Sequence, residues 1–248
     1  MRTVIVLPTY NERENVEPFL RAVRAVDAGI DVLVVDDNSP DGTADLVREL
    51  GSELGGIEVL QREGKSGLGS AYRAGFDKVF GAEGDAAYDV IVSMDADLSH
   101  DPAVLPTMLA LIDDGADTVI GSRYVRGGGT TDWPVRRQLL SKWGNAYTRG
   151  LLRLEPHDCT SGYRAYRASA LAAIHPDDAS AEGYAFLTEL VRRLNRHGYR
   201  IVETPIVFRD RTEGKSKMSG RIIVESMWLV TRWGLADRLR LRRRPKKI

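Results

Sequence analysis

Apolar and polar positions alternate with two different periods along the first half of the chain. Thr3–Leu7 is a β-branched apolar run, the pattern of a buried strand. Glu14–Val26 sets Val16, Phe19, Leu20, Val23 and Val26 at helical spacing. Val32–Val35 predicts a second buried strand, ended by the turn and cap residues Asp36-Asp37-Asn38-Ser39-Pro40-Asp41-Gly42. A helix over about 43–54, a strand over Ile57–Leu60, a helix over Gly67–Phe80 and a strand over Val90–Met94 follow. Asp101-Pro102 opens another helix, because proline suits a first turn. Asp117–Gly121 predicts the fifth strand. Such alternation predicts an α/β fold with a mostly parallel central sheet and helices on both faces.

The second half is less regular. Arg126–Trp133 reads as a Gly/Thr loop, Arg136–Leu152 as a helix and Tyr163–Arg167 as a short strand. Tyr184–His197 predicts a helix and Arg200–Val207 a strand. Arg209–Ser219 is polar and glycine-containing, as in a mobile loop, and Ile222–Trp233 is an apolar-rich helix. No internal repeat or low-complexity linker divides the chain. It reads as one domain over 1–220 and a C-terminal helix with a basic tail over 221–248.

Composition narrows the class. With 248 residues, 43% apolar and 28% charged, the chain is neither disordered nor collagen-like. The single cysteine, Cys159, forms no internal disulfide, which fits a reduced, cytoplasmic setting. The apolar run near Met1 is short for a signal peptide, and no 18-residue apolar stretch predicts a membrane span. The net charge of zero conceals an asymmetry: residues 232–248 carry +7 and the body −7. Such a tail suits an anionic membrane surface or nucleic acid, or is simply a solvated end. No reading helix or aromatic-lined basic platform accompanies it, so nucleic acid is not an expected partner.

Ligands of an open parallel sheet bind beyond the carboxyl ends of its strands. There the chain places Pro8-Thr9-Tyr10-Asn11-Glu12, then Asp36-Asp37, then Asp95-Ala96-Asp97, and then Arg123. Each cluster alone is also explained as a turn or cap; four on one edge point to a site. The dinucleotide G-x-G-x-x-G is absent after the first strand. Gly64-Lys65-Ser66 and Gly214-Lys215-Ser216 look like ends of phosphate loops, but Val59 and Arg209 stand where the leading glycine belongs. This weighs against a dehydrogenase and an ATPase. Asp95 and Asp97 end a buried strand two residues apart, an arrangement suited to Mg²⁺ or Mn²⁺ shared with substrate phosphates.

Three segments, Val4-Ile5-Val6-Leu7-Pro8-Thr9-Tyr10-Asn11-Glu12, Val34-Val35-Asp36-Asp37-Asn38-Ser39-Pro40-Asp41-Gly42-Thr43 and Met94-Asp95-Ala96-Asp97-Leu98-Ser99-His100, resemble signatures of family 2 glycosyltransferases with the GT-A fold. Gly121-Ser122-Arg123-Tyr124, Cys159-Thr160-Ser161-Gly162-Tyr163-Arg164 and Asp210-Arg211 through Lys217 are similar to the dolichol-phosphate (polyprenol-phosphate) mannosyltransferase branch. The resemblance spans about residues 3–220.

It implies a single Rossmann-like GT-A domain. Pro8, Tyr10 and Glu12 would line the nucleoside pocket, with Asp37 on the base or ribose. Asp95, Ala96 and Asp97 would meet the diphosphate, Asp97 being the main metal ligand. Ser99 stands where related enzymes carry a metal-binding Gln, so it or a water would complete the set. Arg123, Arg137 and Ser141 would bind the acceptor phosphate, and Arg211 and Lys217 the donor. The implied reaction is inverting transfer of mannose from GDP-mannose to a polyprenyl monophosphate, at the cytoplasmic face of a membrane or beside a membrane-anchored partner. A UDP-glucose polyprenyl-phosphate glucosyltransferase and a non-catalytic, membrane-recruited nucleotide-binding protein stand as alternatives.

Overall fold

The computed structural model of the chain describes residues 1–81, 87–209 and 220–243, with no side chain described at 184, 220–223 or 240–243. Its strands are β1 (Thr3–Thr9), β2 (Asp31–Asp36), β3 (Ile57–Gln61), β4 (Val90–Ser93), β5 (Thr118–Ser122), β6 (Gly129–Thr130), β7 (Arg164–Arg167), β8 (Ile201–Pro205) and β9 (Val207–Phe208). Its helices are α1 (Arg13–Val26), α2 (Thr43–Leu54), α3 (Leu68–Phe80), α4 (Leu105–Asp113), α5 (Val135–Leu152), α6 (Ala168–Ala173), α7 (Tyr184–His197) and α8 (Gly220–Arg243). Seven strands form the central sheet in the order β3-β2-β1-β4-β7-β5-β8, and β6 pairs with β9 apart from it.

The pleat of β1 explains why both faces are covered. Ile5 and Leu7 join Phe19 and Leu20 of α1 in one core, which α2 and α4 extend. Val4 and Val6 point the other way, to Tyr72 and Phe76 of α3 and to Phe186 and Leu190 of α7. Gly75 lets α3 lie close, since a Cβ there would run into Val6 Cγ1 and Val35 Cγ2. A third cluster joins Ile120 to Leu152, Val191 and Val230, tying α5 and α8 to the last strands.

The mostly parallel sheet is as expected; its middle is not. β7 lies antiparallel between β4 and β5, with Ala165 opposite both Val92 and Val119. The five-residue Tyr163–Arg167 pattern carries no sign of direction. Arg126–Trp133 is not wholly loop, because β6 within it pairs with β9. Arg200–Val207 holds β8 and the start of β9: Ile206, between them, donates to Ser122 O while its own carbonyl accepts from Gly129, and so it links the two sheets. α6 carries no expectation from the sequence, and α8 is longer than Ile222–Trp233. The loop expected over Arg209–Ser219 lies, from 210 onward, outside the described residues. No helix among the described residues is long and apolar enough to cross a membrane.

Candidate active site

The ends of β1 and β2 turn outward at Asn11 and Asn38, whose φ values of 56° and 57° lie in the left-handed region that Asn tolerates best after Gly. Asp36, fully buried, accepts from Thr9 Oγ1 (2.9 Å), Ser39 N (2.8 Å) and Ser39 Oγ (2.6 Å), clasping the two strand ends together. Asp37 accepts from Arg62 (2.5 Å) and from the Ser66 N–H (3.3 Å). Asp41 accepts from the N–H and hydroxyl of Thr43 (3.0 and 2.6 Å) and so starts α2, while Thr43 Oγ1 accepts from the Glu12 N–H. Turn hydrogen bonds, reinforced by the longer-range Thr9–Asp36, Arg62–Asp37 and Glu12–Thr43 bonds, thus hold this edge.

The acidic triplet is held the same way. Asp97 Oδ1 accepts from the Ser99 N–H (3.1 Å) and from Ser99 Oγ (2.5 Å). Leu98 between them sits at φ 56°, a conformation costing about 1–3 kcal/mol that the turn imposes. Ser99, the expected third ligand, is buried beside Asp97, and its hydroxyl donates to that carboxylate. Gly162 backs Asp95, with room for a Cβ only 3.3 Å from Asp95 Oδ2. The Asp95 N–H points to His100 Nδ1 at 3.5 Å. His100 lies against the Tyr163 and Phe208 rings, at 5.2 and 5.4 Å between centroids. Burial, outweighing the pull of Asp97, lowers its pKa to about 4, which leaves it neutral at pH 7.

Pro8, Tyr10, Glu12, Asp37, Asp95, Ala96 and Asp97 line one cavity of about 450 Å³. The structure therefore brings every described member of the expected donor set to one place. Arg211 and Lys217 lie outside the described residues. Other residues line the same cavity, among them Lys65, Glu182 and, from α8, Leu229. Lys65 Nζ stands 4.1 Å from the centre of the Tyr10 ring, which it covers by cation–π attraction. Its Gly-Lys-Ser setting attracts notice in the sequence, but as a failed phosphate loop. Glu182 and Leu229 had no local signal; only the fold carries them here.

Arg123, Arg137 and Ser141 do not line this cavity; they gather around Trp133 and Tyr124, and Arg123 adjoins the acidic triplet through Phe208, whose ring meets both Arg123 and His100. Arg137 lies 3.9 Å over the Trp133 ring, and Arg123 5.6 Å from it. Tyr124 donates to Ser141 Oγ (2.6 Å). Arg123 is no open cation. Its Nε and Nη2 donate to the two oxygens of Asp158 (2.7 Å each), and Nη2 also to Thr160. Both side chains are buried, at 8% and 0% exposure. Burial would raise the Asp158 carboxyl, yet the charge and hydrogen bonds of Arg123 hold it below the usual carboxylate range. Next to this pair, buried Arg164 donates to the carbonyls of Cys159, Ser161 and Leu187, and so fixes the turn before β7. Cys159 is sealed beneath it, its thiol pushed up to about 12 chiefly by burial.

Two carboxylates on an open cavity wall fit a hard divalent cation that takes further oxygens from a bound diphosphate. Among the described residues no group of three His, Cys, Asp or Glu side chains forms a closed cage.

The family model described as glycosyl transferase family 2 matches residues 4–175. The polyprenol monophosphomannose synthase of Mycolicibacterium smegmatis is 46% identical over 239 residues, covering 96% of this chain and 89% of that protein. The undecaprenyl-phosphate mannosyltransferase of Micrococcus luteus is 48% identical over 238 residues, 96% of each chain. Among solved structures, the mannosyltransferase PcManGT of Pyrobaculum calidifontis, in complex with GDP-Man and Mn²⁺, superposes with a TM-score of 0.63. At 19% identity, over 96% of this chain and 64% of that one, it shows a shared fold.

Proposed function

Because the chain belongs to glycosyl transferase family 2, we propose that it transfers mannose from GDP-mannose to a polyprenyl monophosphate with inversion at the anomeric carbon. The observation that carries this reading is the single cavity in which Pro8, Tyr10, Glu12 and Asp37 face the Asp95/Asp97 pair, in a chain aligned almost end to end with two polyprenyl-phosphate mannosyltransferases.

Tyr10, clamped by Lys65, and Asp37, braced by Arg62, form the nucleoside end of the pocket. Asp95 and Asp97 would hold Mg²⁺ or Mn²⁺, which neutralises charge on the departing GDP. The nucleophile is an oxygen of the acceptor phosphate. A phosphate monoester has a second pKa near ~6 and is largely dianionic at neutral pH. The protein therefore needs to orient it rather than deprotonate it, in keeping with a neutral, enclosed His100. Arg137 and Ser141 are assigned to the acceptor phosphate. Arg123, neutralised by Asp158, supports the Trp133 ring on which Arg137 lies. A single in-line displacement gives the β-linked product.

The lipid acceptor stays in a bilayer, because each CH₂ brought into water costs about 0.8 kcal/mol. The basic C-terminal tail is assigned to holding the enzyme at the anionic surface. Deleting residues 238–248 is expected to weaken anionic liposome binding and its salt sensitivity; unchanged partitioning refutes that role.

The test is a transfer assay with labelled GDP-mannose, a polyprenyl phosphate and a divalent cation, with the anomeric configuration of the product determined. Transfer that persists in EDTA overturns the metal assignment. A preference for UDP-glucose overturns the donor, and GDP binding with no product overturns catalysis.

A further inference from the structure

Glu182 lines the donor cavity and takes no part in the reading above. It stands in the segment 179–183 that leads into α7, and this segment is held from two sides. Arg73 of α3 donates to the carbonyls of Ala179 (3.0 Å) and Ala181 (3.3 Å) and, through its other terminal nitrogen, to Glu182 Oε1. Its guanidinium lies 5.7 Å from the centre of the Phe186 ring. From α7, Glu189 accepts from the Ala181 N–H (3.0 Å) and from Arg193 (2.7 Å), which also donates to Asp178 O (2.9 Å). Glu182 Oε2 accepts from the Ser70 N–H (3.3 Å) in the first turn of α3. Gly67 and Gly69 leave room for that oxygen, since a Cβ at either would stand 3.1 or 3.0 Å from it.

These contacts fix one carboxylate on the cavity wall, at a cost in side-chain entropy. Joining α3 to α7 does not require it, because Arg73 already makes that join through the two alanine carbonyls. The Glu182 side chain is 48% exposed. An ionised carboxylate offers about four lone-pair sites, of which Arg73 and the Ser70 N–H take one each. The others are left for a ligand in the cavity. A donor diphosphate is anionic and repels this group, whereas uncharged hydroxyls are attracted to it. Adjacent O–H groups on a sugar ring match the two oxygens of one carboxylate. The position agrees: Asp37 accepts from the Ser66 N–H, and Glu182 abuts the next residue, Gly67. Glu182 thus stands one residue along the wall from the group assigned to the nucleoside.

We propose that Glu182, held in place by Arg73, accepts hydrogen bonds from adjacent hydroxyls of the nucleotide-sugar donor, either those of the ribose or those of the transferred hexose. The inference rests on the donor reading above and adds a residue to it. Arg73, which does not line the cavity, acts as a positioning residue through Glu182.

The test is calorimetric titration of the full chain with GDP-mannose, GDP and 2′-deoxy-GDP, each with Mn²⁺ and without lipid acceptor, so that no transfer intervenes. Glu182→Gln keeps the length of the side chain and removes its charge; Glu182→Ala removes the group. Both are expected to bind GDP-mannose about tenfold or more weakly than wild type, the loss of a charge-assisted hydrogen bond. If the hydroxyls are those of the hexose, GDP affinity stays at the wild-type value. If they are those of the ribose, GDP weakens by the same factor as GDP-mannose, and the loss shrinks with 2′-deoxy-GDP. An equal loss with GDP and 2′-deoxy-GDP points to the base and overturns the hydroxyl assignment. Unchanged affinity for all three ligands overturns the proposal whatever the urea midpoint does, and leaves Glu182 as a brace between helices. A wild-type chain that binds UDP-glucose and not GDP-mannose overturns the donor of the preceding subsection instead; Glu182 is then judged by the same variants with UDP-glucose and UDP.

Discussion

The cavity edge and the Arg123 cluster of this molecule place their charges differently. At the cavity edge, turn partners and distant ones are combined: Asp97 is held by Ser99, Asp36 by both Ser39 and Thr9, and Asp37 by Arg62. In the cluster, Arg123 is held by Asp158, thirty-five positions on, and both are sealed from water. Asp37 and Asp97 line the cavity wall, whereas Asp36 is fully buried and ties strand ends together. The Arg123–Asp158 pair consumes its charges internally. On the proposed reading the cavity carboxylates serve the ligand and the buried pair serves the architecture.

Substitutions can break this contrast. Asp97→Asn is expected to lower transfer by at least ~10²-fold while leaving the urea midpoint nearly unchanged. A large loss of stability there would erase the distinction. Asp158→Asn does the reverse: it strands the Arg123 guanidinium in the interior and is expected to cost about 3–5 kcal/mol of unfolding free energy. The double variant Arg123→Met/Asp158→Leu is expected to recover much of that stability, as measured by urea unfolding. If Asp158→Asn melts like wild type, the pair is not the structural element described.

His100 sits at the seam of the two regions, and acid tests it. Burial lowers its pKa to about 4, below the ordinary histidine value of 6.5, so the unfolded chain takes up the proton first. The contribution to stability is whole above about pH 6.5 and is lost as pH falls towards 4. The slope approaches 1.4 kcal/mol per pH unit, roughly, within that window. Unfolding curves of His100→Gln across the window are expected to be flatter than wild type; identical curves would place the titration elsewhere. The smallest effect is on Lys65→Met, which releases the Tyr10 ring. GDP binding is expected to weaken by a cation–π contact of about 0.5–1 kcal/mol. An unchanged GDP affinity would show that Tyr10 needs no clamp.

The same contrast explains what the sequence made legible. Strands β1 to β5 stand within a residue or two of their apolar runs, and α7 coincides with its pattern, because local periodicity reports burial. The donor residues read off as motifs because each cluster is contiguous and follows its strand. Asp158, Trp133 and Glu182 were not legible as site residues, since their meaning depends on partners distant along the chain. Arg123 was legible as a residue at a strand end, but not as one half of a buried pair. The direction of β7 was hidden for a similar reason: Arg164–Arg167 records burial, while its orientation follows from the connections on either side.

That strand has a kinetic consequence. β4 and β5 meet only through β7, so the sheet cannot close across its centre until residue 167 has been made and brought back about seventy positions to β4. Joining distant segments carries an entropy cost before any contact repays it, and such pairings slow folding. β1, β2 and β3, joined by short crossovers, face no such delay. During refolding, the amides of β1 and β2 are expected to gain protection from hydrogen exchange before those of β7 and β5. Simultaneous protection in a pulse-labelling experiment would show instead that the sheet forms as one unit. On this ordering a folding chain assembles the β1–β2 edge of the cavity first, and the strand that closes the sheet arrives later, through its middle.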